Sequence, residues 1–262
     1  MASKFKDLLV TVENGLRIIK LNRPKRYNAL SLQMYKDIAS ALDDAAKDEG
    51  TKVTVLTGAG PYYCSGNDLG NFSERMEGGG DITASLKEAS TNLESYVNAF
   101  ITFPKLLVAV VNGPAIGIAV TTLALCDVSY ASSTATFNTP FVALGQSPEA
   151  CSSLLFPRIM GQSLAAEVLY MNRKLSAQEA LSCGLVSRVS TDLEAEIWPM
   201  LRKVAATTNP IALGHGKRLV RGWDIEQLKR ANHSECQRLE ERWASADCAE
   251  SVIAFLTRKS KM

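Results

Sequence analysis

Between Leu106 and Asp127 the chain runs as a short valine-rich apolar segment, breaks at Asn112-Gly113-Pro114, and resumes with small residues at helical spacing. This pattern predicts a buried strand, a tight turn and a packed helix. Such a junction leaves main-chain N–H groups at the helix start, where partial positive charge favours an anion or a developing oxyanion, and Gly117 lets a ligand approach the backbone closely. The same pattern describes any densely packed α/β core, so both readings stand at this point.

The flanking segments follow two other periods. Residues Asp7 to Leu21 alternate apolar and polar on either side of Glu13-Asn14-Gly15, which predicts two antiparallel strands joined at Asn-Gly. Arg23-Pro24-Lys25-Arg26 forces a loop, and Ser31 is placed to cap a helix carrying Met34, Ile38, Ala41, Leu42 and Ala45 on one face up to Gly50. Val53 to Leu56 is a strand. Leu86, Ala89, Leu93, Val97 and Phe100 trace a helix ended by Pro104, and the glycine and acidic residues from Glu77 to Asp81 ahead of it predict a mobile segment. Val128 to Ala131 and Thr136 to Asn138 are strands, and Ser176-Ala-Gln-Glu179 is a capping box for a short helix closed by Gly184. Beyond about Thr207 helical periodicity with many charges takes over. Its charge runs are most simply solvated faces, while Leu228, Leu239, Trp243, Val252, Ile253 and Phe255 supply enough apolar surface for docking or subunit contact.

Composition narrows the class. The 262 residues, 46% hydrophobic and 21% charged, suit one large globular domain or a domain with an appendage, and a net charge of +2 spread along the chain announces no nucleic-acid face. No apolar run is long enough to span a membrane. The six cysteines are not spaced as metal ligands or disulfide pairs, so a reducing compartment and buried thiols are expected. Asn71-Phe-Ser73 and Asn232-His-Ser234 match the glycosylation pattern by coincidence, since no secretory signal is evident. The terminal Ser260-Lys261-Met262 is similar to the Ser-Lys-Leu peroxisomal address, with a frayed charged tail as the alternative.

Little conventional catalytic machinery is visible. The two histidines, His215 and His233, both fall in the helical tail, so a Ser-His-Asp triad or a zinc site has no support, and no phosphate-loop glycine pattern is complete. There remain two turns offering backbone donors, near Ser65-Gly66 and near Gly117, and one carboxylate, Glu149, among apolar neighbours. Two N–H donors can stabilise an enolate oxygen, and a desolvated carboxylate can shuttle a proton beside it. From spacing alone, Pro148-Glu149 is more simply the first turn of a helix through Ser152 and Phe156.

Cys64-Ser-Gly-Asn-Asp-Leu69, Asn112-Gly-Pro-Ala-Ile-Gly-Ile118, Cys126-Asp127 and Phe137-Asn-Thr-Pro-Phe-Val-Ala-Leu-Gly-Gln-Ser-Pro-Glu149 together resemble the crotonase, or enoyl-CoA hydratase/isomerase, superfamily. Within it, the Leu-Gly-Gln-Ser-Pro-Glu run looks most like the peroxisomal Δ3,Δ2-enoyl-CoA isomerases. The resemblance implies an α/β spiral of repeated ββα units over residues 1–206, and a helical oligomerisation section over 207–262 that serves a trimer or hexamer. It also implies an acyl-CoA thioester substrate, with coenzyme A part of the substrate and no cofactor or metal.

Carried over by position, the oxyanion-hole amides would be the N–H groups of Ser65 and Ile118, and the catalytic carboxylate would be Glu149. CoA contacts would come from Lys25, Arg26, Asn28, Ala29 and Leu30, from Cys64, Ser65, Gly66, Asn67, Asp68 and Leu69, and from Gly117; Lys25 and Arg26 serve equally well as a solvated turn. The two glutamates of the hydratases are replaced by Thr121 and Phe141, and Ala150 stands where the isomerases usually have glycine. The implied reaction moves a 3-enoyl double bond to the 2-trans position in unsaturated fatty acid β-oxidation, inside the peroxisome and with an import receptor reading the C-terminus. A non-catalytic CoA- or protein-binding module of the corepressor type, or a hydratase or CoA hydrolase using other residues, stay open as alternatives.

Overall fold

The computed structural model describes residues 4–68, 70 and 81–259. The alternating segments at the start form a hairpin of β1 (Leu8–Glu13) and β2 (Leu16–Leu21), with Leu8 opposite Leu21. Asn14 and Gly15 both have positive φ, 47° and 85°, as a two-residue turn matching the strand twist requires. Ser31 caps α1 (Leu32–Lys47) by accepting the Met34 N–H at 3.3 Å, and α1 buries Met34, Ile38, Ala41, Leu42 and Ala45 along one face.

β3 (Val53–Gly58) and β4 (Leu106–Val111) are almost wholly buried, as befits strands covered on both faces. Between them in sequence lies α2 (Ile82–Ile101), capped by Asp81, which accepts from Thr83 and Ala84. After β4 come β5 (Ala115–Ile116), the four-residue helix α3 (Ile118–Thr121) leading into a 3-10 turn at Thr122–Leu125, β6 (Val128–Ser132) and β7 (Thr136–Asn138). Then follow α4 (Ser152–Met160), α5 (Gln162–Tyr170), β8 (Leu175–Ser176), α6 (Ala177–Ser182), β9 (Arg188–Ser190) and α7 (Leu193–Thr207). The chain finishes with α8 (Pro210–Arg221), α9 (Ile225–Trp243) and α10 (Ala246–Lys259).

The strands make two sheets. One has the order β1-β2-β3-β4-β6-β9, parallel apart from the first hairpin, and the other is β5-β7-β8. One face of the large sheet meets α7, whose Ile197, Trp198, Leu201 and Ala205 pack on Leu16, Val53, Val55, Val108 and Val110. The opposite face meets α1 and α2 in the larger core.

Two expectations are adjusted and a third is met. The helix predicted after Gly117 is a single α turn followed by a 3-10 turn, which ends where Cys126 takes an extended backbone at φ −70°, ψ 153°. The helical section begins at Leu193 rather than near Thr207. The capping box at Ser176 forms in full, and Gly184 follows it with φ +84°.

Five of the six cysteines are buried and all are free; burial pushes Cys64, Cys126 and Cys151 up to about 12, so they behave as small apolar groups. Asn232 is also fully buried, its amide donating to Glu94 O and Asn98 Oδ1 at 3.0 Å each, which leaves no room for a glycan. Among the described residues, no helix is long and apolar enough to cross a membrane.

Candidate active site

The turn after β4 brings distant segments to one cavity of about 410 Å³. Its walls come from the loop before α1, the segment Ser65–Asp68, the start of α3, and the run from Pro140 to Glu149. The segments meet because Cys64 pairs with Ala115 and Asn67 pairs with Leu30, each as a parallel bridge. Gly117 sits at φ 58°, ψ −125°, a conformation open to glycine, and its N–H bonds Asn138 O at 2.8 Å. A Cβ added at Gly66 would lie 2.7 Å from Ile116 O, so only glycine lets these two edges approach.

The two amides expected to hold an oxyanion differ. Ile118 N–H has no hydrogen-bond partner among the described residues and lines the cavity as the first amide of α3. Ser65 N–H instead donates to Tyr27 O at 2.9 Å, so the donor expected from Ser65 is already committed. Leu30 bonds the residues flanking Asn67, through Leu30 N to Gly66 O and Asp68 N to Leu30 O. In a parallel ladder that pattern turns the Asn67 N–H and C=O away from Leu30.

Glu149 does not begin a helix. Ala150 and Cys151 follow it in the left-handed region, with φ 54° and 61°, and α4 starts only at Ser152. This tight reversal turns the Glu149 side chain into the cavity, where its Oε1 lies 4.0 Å from the position of a Cβ on Gly117. Ala150 holds that φ at a cost of roughly 1 kcal/mol relative to glycine. The carboxyl has no hydrogen bond or ion pair among the described residues. Burial, reinforced by the negative charge of Glu235, raises Glu149 to about 8. A carboxyl poised near neutrality, facing an open amide across a cavity, can accept and return a proton.

The remaining candidates separate into lining and supporting residues. Lys25, Arg26, Ala29, Ser65, Gly66, Asn67, Asp68 and Gly117 line the cavity. Lys25 is exposed and makes no ion pair among the described residues, which leaves its charge available at the mouth. Arg26 Nη2 pairs with Asp68 Oδ1 at 3.2 Å, and Arg23 Nη1 and Nη2 each reach Asp68 Oδ2 at 3.1 Å. Burial pulls Asp68 up, but the Gly70 amide and the two arginines outweigh it and hold the carboxyl below its usual range. Asp68 therefore organises the arginines rather than presenting a bare negative charge to a phosphate.

Asn28, Leu30 and Cys64 are buried and turn away from the cavity. The Asn28 amide donates to Ala59 O, Tyr62 O and Tyr63 O, and the Cys64 thiol to Asn28 O at 3.1 Å, so these side chains hold the loop rather than a ligand. Leu69 lies outside the described residues. At the positions of the hydratase glutamates, Phe141 lines the cavity, while Thr121 is buried with its hydroxyl donating to Ile118 O at 3.3 Å.

Sequence reasoning missed Phe255 of α10, which reaches the cavity from the C-terminal section, and Tyr27, Leu144 and Gln146 along its rim. It also missed Glu235 on α9, nearly buried and hydrogen-bonded to the residues just after Glu149. No cluster of metal-ligating side chains occurs among the described residues.

Comparison with known proteins gives this geometry its family. The family described as Enoyl-CoA hydratase/isomerase matches residues 11–261, and the chain belongs to it. Enoyl-CoA delta isomerase 2 of Rattus norvegicus is 47% identical over 263 residues, covering 100% of this chain and 66% of the relative, so this chain spans just under two thirds of that protein. Enoyl-CoA delta isomerase 3, peroxisomal, of Mus musculus is 45% identical, covering 99% of this chain and 81% of the relative. Among solved structures, an enoyl-CoA hydratase/isomerase from Pseudoalteromonas atlantica T6c superposes with a TM-score of 0.86 at 34% identity, covering 97% of this chain and 98% of that one.

Proposed function

We propose that this chain is a Δ3,Δ2-enoyl-CoA isomerase acting on fatty acyl-CoA thioesters. The observation that carries the proposal is the lone Glu149 carboxyl, raised to about 8 and facing the cavity shared with the Ile118 amide. A 3-enoyl-CoA binds with its thioester oxygen against the Ile118 N–H. Glu149 removes a proton from C2, the amide stabilises the dienolate, and the same carboxyl returns the proton at C4, bringing the double bond into conjugation with the thioester.

Hydration is disfavoured because adding water across the double bond draws on two acid/base groups, and Thr121 and Phe141 occupy the places of the hydratase pair. An idle binding module gains nothing from keeping an unpaired carboxyl in a desolvated wall. Lys25 at the mouth is suited to a CoA phosphate. Residues 260–262, outside the described residues, are assigned as a peroxisomal address, in keeping with the name of the mouse relative. Assembly as a trimer or hexamer is supported by the exposed apolar side chains Ile211, Leu219 and Val220 on α8 and Trp223 in the turn after it.

Incubation of the purified protein with 3-enoyl-CoA and, separately, with 2-enoyl-CoA tests the proposal. Growth of conjugated-thioester absorbance from the first and no 3-hydroxyacyl product from the second is expected; the reverse outcome rejects it. The base works ionised, so kcat/KM rises with pH, roughly tenfold per unit, until Glu149 has titrated near 8.

A further inference from the structure

Glu235 belongs to α9, yet its carboxylate accepts three hydrogen bonds from the turn that follows Glu149. Cys151 N–H donates at 2.6 Å to Oε2, while Ser153 N–H at 3.0 Å and Ser153 Oγ at 2.5 Å donate to Oε1. The same helix takes the Cys151 thiol on Leu228 O at 3.3 Å. Between these two anchored residues, Ser152 donates to Glu149 O from its N–H at 3.2 Å and its hydroxyl at 2.7 Å. A chain of hydrogen bonds thus runs from α9 through Cys151, Ser152 and Ser153 to the Glu149 main chain. It spans the two consecutive non-glycine residues with left-handed φ, Ala150 and Cys151, a conformation that holds only where its surroundings over-determine it.

We infer that Glu235 is a positioning residue: its carboxylate clamps the Ala150-Cys151 reversal and so aims the Glu149 carboxyl at the Gly117-Ile118 wall. The inference rests on the isomerase reading. A carboxylate is chosen here because it accepts from three donors on two oxygens, whereas an amide accepts on one only. Its negative charge also opposes ionisation of Glu149, keeping the base protonatable enough to hand its proton on to C4. Tyr96 of α2 and Cys236 of α9 also face Glu149, but burial drives both far up, so Glu235 is the charged neighbour that acts on Glu149.

The test is Glu235→Gln in the full chain, with kcat and KM for 3-enoyl-CoA measured from pH 5 to 9.5 and the Glu149 carboxyl followed by 13C NMR, its resonance assigned by its loss in Glu149→Gln. Glu235→Gln is expected to lower kcat about tenfold with KM within about twofold. It is also expected to move the Glu149 midpoint down by about half a unit or more. Ser153→Ala, which keeps the charge and removes one donor, is expected to lower kcat about threefold with the midpoint unmoved, and it decides the matter if Glu235→Gln does not fold. A Glu235→Gln protein with lowered melting temperature but wild-type kcat and midpoint, or wild-type kcat in Ser153→Ala, overturns the inference. Failure of the isomerase reading has a separate signature, since wild-type protein would then leave 3-enoyl-CoA unconverted while the NMR midpoints still report the coupling.

Discussion

Glu149 and Glu235 are both acidic side chains surrounded by protein beside the same turn, and their environments are opposite. Glu235 accepts three hydrogen bonds, which work against the upward pull of burial on its pKa. Glu149 has no such partner among the described residues, and burial together with the neighbouring negative charge raises it to about 8. The same residue type is a structural tie in one place and, on the proposed function, the base in the other, and what separates them is the supply of donors.

That contrast can be broken at either end. The largest effect is expected from Glu149→Gln, which keeps the shape and removes the base: kcat should fall by about a hundredfold to ten-thousandfold in a single-turnover isomerase assay. Glu235→Ala should cost about 3 kcal/mol in urea unfolding, because three donors lose their acceptor in a buried place.

The reactive end should behave in the opposite sense. The folded pKa of Glu149 lies above its unfolded value of 4.5, so the native state holds the proton more tightly and stability is lost as pH rises from about 4.5 to about 8. Glu149→Gln removes that loss and should be more stable than wild type by up to about 5 kcal/mol at pH 9, with the difference vanishing below pH 4.5. Two melting series across this range would show it, and a constant difference would count against a raised carboxyl. The smallest effect is that of Ser153→Ala, which should destabilise by about 1 kcal/mol through loss of one of Glu235's three bonds.

The comparison also explains what could be read before the fold was known. Local signals succeeded where the chain acts on itself, as at the Asn14-Gly15 turn, the Ser31 cap and the Ser176 capping box. The two-residue strands β5 and β8 are too short to carry a period, and α7 blends into the tail that follows it. Glu235 lies in a highly charged helix, where a buried acid and a solvated one look alike in sequence. Ser65 failed as an amide donor because backbone pairing to Tyr27 leaves no trace in residue type. Glu149, by contrast, was legible only through its family motif, since spacing pointed to a helix start that the left-handed Ala150 and Cys151 prevent.

The central claim is that one carboxyl both takes the C2 proton and delivers it to C4. Single turnover of a C2-deuterated 3-enoyl-CoA in ordinary water tests it most directly. The account predicts a reaction slower than with the undeuterated thioester and deuterium recovered at C4 of the product. An unslowed reaction whose C4 hydrogen comes wholly from water would contradict it.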